Sequence, residues 1–222
     1  MKKYLFAILK GILAGASIGL GGFLFVIVTT FVKGQIGLIL GALLFPVGLL
    51  LVCSFSLFLY TGKIGVVFEG RQEKDFYVSL PLMFIGNIIG SLLIGYLCYF
   101  IFRNNNDIYA RINAVCEARF QFNNYQGYLS CFLKSLFCGL FVYLAVKAFA
   151  FDRLKPVGIA LLFFFIFTFV YLGLEHCIAN AYYFSFANKW DNPNAYIDMA
   201  LCVLGNSLGT IPGVLLLKLT KK

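Results

Sequence analysis

The chain alternates between long apolar stretches and short polar connections over its whole length. Each apolar stretch is long enough for one helical crossing of a bilayer, which takes about 20 residues. The predicted spans are about Tyr4–Val32, Ile36–Tyr60, Phe76–Phe102, Tyr128–Phe149, the stretch from after Pro156 to Phe186, and Ala195–Leu219. Because the connections are short, we predict a single all-α membrane domain over residues 1–222, with six transmembrane helices.

Two of these spans contain an interruption. The second span stops near Thr61, and the fifth meets Glu175 and His176 in the middle of an apolar run before resuming at Cys177. Non-helical backbone at membrane depth persists only where protein or a water-filled cavity satisfies its polar groups. The half-helix N-termini then point inward with partial positive charge, which favours anions. Broken second and fifth helices therefore predict an anion site near the membrane centre.

A short string recurs in the third and sixth spans. Gly86-Asn87 opens the string GNIIG, and Gly205-Asn206 opens the string GNSLG. Each string lies in the third span of its half and follows an interrupted span. Because an odd number of spans per half forces the halves into opposite orientations, we predict two inverted three-helix repeats, about 4–103 and 127–219.

Composition and charge agree with a membrane protein and narrow its function. The chain is 61% hydrophobic and 12% charged, whereas soluble domains are about 25% charged, so a large soluble catalytic domain is excluded. The net charge of +9 is scattered over loops and ends without a nucleic-acid-binding motif, so we expect no nucleic-acid partner. The basic residues instead predict cytoplasmic termini in a multi-pass plasma membrane protein, or attraction of anions to a pore mouth. The abundance of Phe, Asn, Lys and Tyr is typical of an AT-rich bacterial genome.

The cysteines give no sign of a cofactor. There are seven, an odd number, and no CxxC pair occurs. Most lie in apolar stretches, where cysteine behaves as a small hydrophobic residue. We therefore predict no disulfide framework, no metal site and no cofactor. An enzyme would need paired carboxylates or a nucleophile with a base, which the sequence does not offer, so we predict that the protein is not an enzyme.

Several motifs resemble those of the formate/nitrite transporter family. Gly173–Asn180 reads GLEHCIAN, similar to the family's G-[FL]-E-H-S-I-A-N signature, and Leu59–Gly62 is similar to its L-F-T-G loop. The two GN strings match its third and sixth helices, and Cys138–Val146 is similar to its fourth-helix string. Two positions depart from the pattern, since Tyr60 replaces the common Phe and Lys63 the common Asn. The resemblance implies an aquaporin-like fold, a homopentamer with one pore per protomer, and passage of small monovalent weak-acid anions such as formate, nitrite or hydrosulfide.

The polar residues of the interruptions are the predicted pore residues. Ionisable groups inside a membrane are costly and usually functional, and the resemblance implies that His176 lines the pore, bonds to Thr61 and contacts the anion. Glu175 is expected to hold polar groups that shape the broken helix. Asn87 and Asn206 either pack helices together or hold the broken loops and line the pore, and the family pattern favours Asn206 for the pore side.

Two lysines and a set of apolar residues complete the prediction. Lys155 is either an ordinary loop charge or, by resemblance, a lysine that favours anions in the pore. Lys63 either reaches towards water or adds a second positive charge near the loop. Abundant Phe residues ordinarily contact lipid, but the resemblance assigns a constriction to Phe45, Leu49, Leu59, Tyr60 and Phe169.

The expected mechanism couples the anion to a proton near His176. A bare charge is costly to desolvate in an apolar ring, so the anion would cross as its neutral acid. The alternative is an aquaporin-like channel for water or small neutral solutes. It would require two Asn-Pro-Ala half-helix caps, which the sequence lacks.

Overall fold

The computed structural model describes residues 2–150 and 155–220, without the side chains of Lys155 and Thr220. No β-strand occurs among the described residues, which confirms the all-α prediction. The helices are α1 (Lys2–Phe31), α2 (Gly34–Leu44), α3 (Pro46–Ser54), α4 (Tyr60–Lys63), α5 (Val66–Glu69), α6 (Lys74–Phe102), α7 (Asn106–Glu117), α8 (Tyr125–Phe149), α9 (Lys155–Tyr171), α10 (Cys177–Phe186), α11 (Pro193–Leu208) and α12 (Thr210–Thr220).

Five helical stretches of the described chain are long and apolar enough to cross a membrane. They are Lys2–Phe31, Gly34–Ser54, Lys74–Phe102, Tyr125–Phe149 and Pro193–Leu219. The remaining predicted span corresponds to two shorter helices, α9, which is apolar from Pro156 to Tyr171, and α10. The count of six spans therefore stays a prediction, while the multi-pass membrane architecture is clear.

Glycines allow the first and third helices of each predicted half to touch through their backbones. A Cβ atom on Gly15 of α1 would lie 2.0 Å from the backbone oxygen of Asn87 in α6. A Cβ atom on Gly139 of α8 would lie 2.2 Å from the backbone oxygen of Asn206 in α11. Small residues permit this approach in membranes, where close packing replaces the hydrophobic effect between helices. In both halves, the backbone of the GN asparagine therefore packs directly against a glycine of the first helix of that half.

The interruptions separate α3 from α4 and α9 from α10. The first covers residues 55–59, so Thr61 lies in α4, after the interruption rather than within it. Ser56 has a φ of 50°, which an α-helix does not accommodate and which ends α3 before Thr61. The second covers residues 172–176, where Gly173 adopts a φ of 62°, a conformation that glycine adopts at little cost.

The mixed segment between the third and fourth spans forms a helix that the sequence did not predict. Helix α7 begins after Asn105, whose side chain accepts a hydrogen bond from the Ile108 amide at 3.1 Å and so caps the helix. It buries Ile108, Ile112 and Val115 and exposes Asn106, Asp107 and Glu117. This amphipathic helix places Arg111 in its middle and Arg119 just after its end, both at the wall of a cavity inside the bundle.

Both ends of the described chain lie at one face of the bundle. Lys3 forms an ion pair with Asp75 at the start of α6. Lys218 of α12 donates a hydrogen bond to the Phe68 carbonyl oxygen at 3.0 Å. Since Phe68 and Asp75 flank the same loop, α1 begins and α12 ends at the same face.

Candidate functional site

The two interrupted segments meet at a hydrogen bond between Thr61 and His176. The Thr61 Oγ1 and His176 Nε2 atoms are 2.9 Å apart, and both residues are buried. Thr61 lies in the first turn of α4, and His176 is the N-cap residue of α10. The predicted contact between these residues is therefore present in the structure.

The hydrogen bonds of His176 define its resting form. Its Nδ1 atom accepts a hydrogen bond from the Ala179 amide at 3.2 Å, so Nδ1 carries no proton. A neutral imidazole then carries its proton on Nε2, which donates to the Thr61 hydroxyl oxygen. Protonation of Nδ1 would break the bond to Ala179 and remove the cap of α10. The charged form of His176 therefore costs a local hydrogen bond in addition to the cost of burial.

His176 faces a small apolar chamber at the centre of the bundle. The chamber has a volume of about 10 Å³, roughly the space of one water molecule. Its remaining lining is apolar and is formed by Ile18, Phe45, Leu49, Leu59, Val142, Ile166 and Phe169. An ion here would lose its hydration with the Thr61–His176 pair as its nearest polar contact, so the chamber discriminates strongly against a bare charge.

Aromatic rings form the boundary of this chamber on one side. The Phe45 and Phe169 rings meet edge to face with their centroids 5.6 Å apart. The Phe169 ring stacks beside the His176 imidazole at 5.9 Å. All three residues also line a larger cavity of about 290 Å³, which we call the Arg119 vestibule. Phe45 and Phe169 thus separate that vestibule from the chamber.

Leu59 forms the boundary on the other side. Leu59 lines both the chamber and a cavity of about 350 Å³, which we call the Lys63 vestibule. Lys63, Ser56 and Gly62 contribute to its wall. The Arg119 vestibule, the chamber and the Lys63 vestibule therefore follow one another through the bundle, and each cavity shares wall residues with the next.

Arg119 and Arg111 supply positive charge to the Arg119 vestibule. Arg111 donates to Thr29 Oγ1 at 2.8 Å, and Arg119 donates to the Val115 carbonyl oxygen at 2.7 Å. Burial is the largest single influence on Arg119 and acts against its charge, but the Glu175 carboxylate together with Tyr183, Asp198 and Cys116 raises the Arg119 pKa above its ordinary value. Arg119 consequently remains a fixed cation at the mouth of the chamber.

Glu175 connects this cation to the interrupted fifth span. Its Oε2 atom lies 3.2 Å from Arg119 Nε and accepts a hydrogen bond from Asn180 Nδ2 at 2.8 Å. Arg119 Nε also donates to Asn180 Oδ1 at 3.0 Å. The carboxylate thus holds an arginine against the segment that precedes α10, in keeping with the shaping role predicted for Glu175.

Asn87 stabilises the first interruption with three hydrogen bonds. Its Oδ1 atom accepts from the Tyr60 amide at 2.7 Å. Its Nδ2 group donates to the Phe58 carbonyl at 2.8 Å and to the Gly11 carbonyl in α1 at 2.8 Å. The side chain therefore satisfies backbone groups that the interruption leaves without helical partners.

Asn206 makes the corresponding hydrogen bonds at the second interruption. Its Oδ1 atom accepts from the Cys177 amide at 2.9 Å. Its Nδ2 group donates to the Glu175 carbonyl at 2.8 Å and to the Ser135 carbonyl in α8 at 2.9 Å. Within the described chain, Asn206 lines neither the chamber nor the two vestibules. The structure thus places the Asn206 side chain at the broken loop and not in the wall of these cavities.

The four remaining predicted residues lie outside the chamber wall or outside the described part of the chain. The Tyr60 ring packs against Phe84 with centroids 4.9 Å apart, and its hydroxyl lies 2.9 Å from Ser207 Oγ. Tyr60, although predicted at the constriction, is not among the described residues that line the chamber. Gly86 and Gly205 serve helix packing, since a Cβ atom on either would collide with a neighbouring helix. The Lys155 side chain lies outside the described residues, and its role stays a prediction.

The sequence reasoning missed three charged residues of this region. The sequence pattern places Arg111 and Arg119 in the connection between the third and fourth spans, because it does not predict α7. Asp198 is fully buried in α11 and belongs to none of the motifs. A signal for Asp198 was nevertheless present, since a lone acidic residue in the apolar stretch 195–219 is costly without a function or a partner.

Comparisons with known proteins give one consistent result. A family model described as "Formate/nitrite transporter" matches residues 2–220. The structure is similar to a solved structure described as "Pentameric formate channel with formate bound", with a TM-score of 0.83, 22% identity, and coverage of 100% of this chain and 99% of that chain. It is also similar to one described as "FNT family ion channel", with a TM-score of 0.80, 20% identity, and coverage of 98% and 90%.

A comparison with curated proteins finds no match. The two solved structures share the fold with this chain at low identity, and the family model matches nearly every residue of it. The predicted resemblance is therefore confirmed. The chain belongs to the formate/nitrite transporter family.

Proposed function

We propose that this protein is a membrane pore for small monovalent weak-acid anions such as formate, nitrite or hydrosulfide. The observation that carries the proposal is the Thr61–His176 hydrogen bond beside an apolar chamber, with a cationic vestibule on either side. A neutral-solute channel has no need of a cation at each mouth. Family membership and the similarity to a pentameric formate channel support the same assignment.

The charge at each mouth determines how an anion approaches. Arg111 and Arg119 line one vestibule and Lys63 lines the other, so both attract anions from solution. Arg119 is already paired with Glu175, and this pairing moderates its attraction for an anion. A moderately attractive mouth concentrates the anion and still releases it to the chamber.

The apolar boundaries select for the neutral acid. Because desolvating an ion between Phe45, Phe169 and Leu59 is costly, the anion takes up a proton before it crosses and releases it in the opposite vestibule. His176 supplies the Nε2 proton to an anion bound at Thr61. In the same event Nδ1 takes up a proton from water in the Arg119 vestibule, which His176 also lines, so the imidazole stays neutral, changes tautomer and loses the hydrogen bond from Ala179. The resting form returns when Nδ1 gives that proton back to water and Nε2 takes one up, and the net result is one proton moved from water to the anion. Flux is then coupled to pH.

The protein acts as an assembly in a bilayer. Exposed apolar side chains cover the outer helices, among them Leu93, Leu97, Phe100 and Phe164, and these face lipid or neighbouring protomers. We propose a homopentamer with one pore per protomer, in keeping with the pentameric structure to which the chain is similar. We further assign it to a bacterial plasma membrane with both termini in the cytoplasm, where basic residues of short loops concentrate.

A flux assay in proteoliposomes tests the proposed function. The purified protein is reconstituted, and uptake of formate, nitrite, hydrosulfide, lactate and glycerol is followed at two pH values. The proposal expects rapid uptake of at least one small weak acid and no uptake of glycerol above that of empty liposomes. Glycerol or water permeation without anion flux would instead support the aquaporin-like alternative.

A further inference from the structure

Three side chains that are able to ligate a metal ion converge beside the Glu175–Asn180 contact. They are Cys131 of α8 and Asp198 and Cys202 of α11, all buried, and their ligand atoms lie within 4.8 Å of one another. The Cys131 Sγ atom is 3.7 Å from Asp198 Oδ2, and the Cys202 Sγ atom is 3.5 Å from Asp198 Oδ1. The two thiols therefore lie against different oxygens of one carboxylate.

Helix packing creates this cluster without any local sequence motif. Asp198 and Cys202 are four residues apart and so lie on one face of α11. That face packs against α8, where a Cβ atom on Gly205 would lie 2.4 Å from Ser135 Cβ. Cys131, one turn before Ser135, is thereby brought to the α11 pair. This explains why the sequence alone predicted no metal site.

The charges around the cluster leave Asp198 without an ion pair of its own. Glu175 and Arg119 neutralise each other at 3.2 Å. Asp198 accepts from the Asn180 amide at 2.8 Å, lies against the two thiols, and is close enough to Glu175 and Arg119 for both charges to act on it. Among the described residues, no Lys or Arg nitrogen lies within ion-pair distance of Asp198. A carboxylate that is fully buried without an ion pair is costly in its charged form, and a bound cation would stabilise that form.

A polar cavity gives access to the cluster. Cys131 lines a cavity of about 330 Å³ together with Glu175, Lys134 and several amide side chains of the segment between α7 and α8. Arg119 borders both this cavity and the Arg119 vestibule. The cavity is large enough to bring a hydrated ion to the Cys131 thiol and to hold a water molecule as a further ligand.

We propose that Cys131, Asp198 and Cys202 bind a thiophilic divalent cation such as Zn²⁺ and that this binding lowers flux through the pore. Two thiolates and a carboxylate suit Zn²⁺, with a water molecule in the fourth position. On binding, both thiols lose their protons to solvent, two new metal–sulfur bonds and one metal–oxygen bond form, and no electron is transferred. The occupied site then carries one net negative charge, beside the Glu175–Arg119 pair.

The link to the pore is the side chain of Asn180. Its Nδ2 group donates both to Asp198 Oδ1 and to Glu175 Oε2, each at 2.8 Å. A cation that draws Asp198 towards the two thiols shifts Asn180, and with it the contact of Glu175 next to His176. Because the cluster joins α8 to α11, the cation also fixes the helices that hold the second interruption. This regulatory part rests on the proposed function, whereas binding itself does not.

The binding test uses the purified, reduced full-length protein after removal of metals with a chelator. Cd²⁺ is titrated while the ultraviolet thiolate-to-cadmium band is recorded, and Zn²⁺ is titrated by calorimetry. We expect one ion per chain in the wild type and in the matched control Cys98→Ser, which removes a buried thiol elsewhere. Cys131→Ser and Cys202→Ser should each weaken binding by more than about tenfold, and Asp198→Asn should weaken it with the thiolate band retained.

Two results would overturn the binding proposal. One is the absence of saturable Cd²⁺ or Zn²⁺ binding at micromolar concentration by wild-type protein. The other is unchanged binding by both serine variants when they elute in detergent at the same volume as the wild type. A variant that does not fold is replaced by Cys131→Ala or Cys202→Ala, which place an apolar group in the same space.

The flux test separates regulation from the pore function itself. Zn²⁺ added to proteoliposomes should lower formate flux several-fold in wild type and Cys98→Ser but not in Cys131→Ser. Unchanged wild-type flux at a saturating Zn²⁺ concentration would overturn the regulatory part, even where binding is measured. An absence of anion flux in every sample, with Cd²⁺ bound as expected, would overturn the proposed function and leave the site intact.

Discussion

Asn87 and Asn206 make the same three hydrogen bonds in the two halves of the chain. Each Oδ1 atom accepts from the first amide of a half-helix, and each Nδ2 group donates to the carbonyl two residues earlier and to a carbonyl of the half's first helix. Non-helical backbone at membrane depth needs such partners. The two interruptions are therefore stabilised by one repeated device, which supports the predicted inverted repeat.

The first prediction concerns this device. Asn206→Leu leaves the Cys177 amide and the Glu175 and Ser135 carbonyls without their side-chain partner, and each buried unpaired group costs about 1–3 kcal/mol. We expect a large loss of thermal stability in detergent, measured as the temperature at which the oligomer dissociates or aggregates. Asn104→Leu, at an exposed position of the loop after α6, should change that temperature little. Equal stability of the two variants would contradict the assignment.

The second prediction concerns the pair formed by Arg119 and Glu175. Arg119→Gln leaves a buried carboxylate without its cation, which costs about 3–5 kcal/mol, whereas Glu175→Gln leaves a less buried guanidinium. We expect the double variant to be more stable than the sum of the single losses implies, by roughly 0.5–3 kcal/mol. Denaturation of the four proteins in a double-mutant cycle measures this coupling. Additive losses would show that the two side chains act independently.

The third prediction concerns the aromatic boundary of the chamber. Phe45→Ala removes a ring that separates the chamber from the Arg119 vestibule, so larger and neutral solutes should pass more readily. We expect measurable glycerol uptake into proteoliposomes and weaker selectivity between formate and lactate. The matched control is Phe164→Ala on α9, because the Phe164 side chain is 61% exposed and lies away from the chamber. Unaltered selectivity in Phe45→Ala would place the constriction elsewhere.

The fourth prediction concerns Lys63 in its vestibule. Lys63→Gln should raise the half-saturating formate concentration several-fold on one face of the membrane and leave the other face unchanged, because the opposite mouth keeps its arginines. Single-channel conductance is measured with formate gradients applied from each side of the same channel, so the orientation in the bilayer does not matter.

The controls for this prediction separate the position of the charge from its amount. Lys63→Arg should behave as wild type, because it keeps the positive charge. Lys74→Gln removes an exposed charge near the same face without lining the vestibule, so it should have little effect. The difference between wild type and Lys63→Gln should also shrink at high ionic strength, where surface attraction is screened. A loss of affinity on both faces would contradict a role confined to one mouth.

The sequence was informative where a residue conflicts with its surroundings. His176 and Glu175 in an apolar run indicated the centre of the site, and the repeated GN strings indicated the two loop-stabilising asparagines. Helix α7 escaped prediction because the apolar pattern was interpreted only as membrane spans and connections, and its 12 residues are too few to cross a bilayer. Its place above the chamber depends on packing between distant segments, such as the pairing of Arg119 with Glu175. The first interruption precedes Thr61 because a positive φ at Ser56 ends α3. The residue types around Ser56 do not predict this conformation.

The cluster of Cys131, Asp198 and Cys202 was beyond sequence reasoning for a related reason. Its members come from two helices whose contact is set by small residues such as Gly205. A lone aspartate in an apolar stretch is visible in the sequence. Its thiol neighbours are not, because they depend on the register in which α8 and α11 pack. Sequence patterns therefore define the elements and the unusual residues, while the contacts between distant helices require the fold.

The most direct test of proton-coupled anion passage is the pH dependence of formate flux in His176→Asn. Asparagine is a favourable N-cap whose side-chain oxygen is able to accept the hydrogen bond from Ala179 in place of Nδ1, but it cannot carry a proton. Wild-type proteoliposomes should take up formate faster as the external pH falls, whereas His176→Asn, assembled normally, should lose most of that dependence. A pH dependence in His176→Asn equal to that of the wild type would contradict proton transfer through His176.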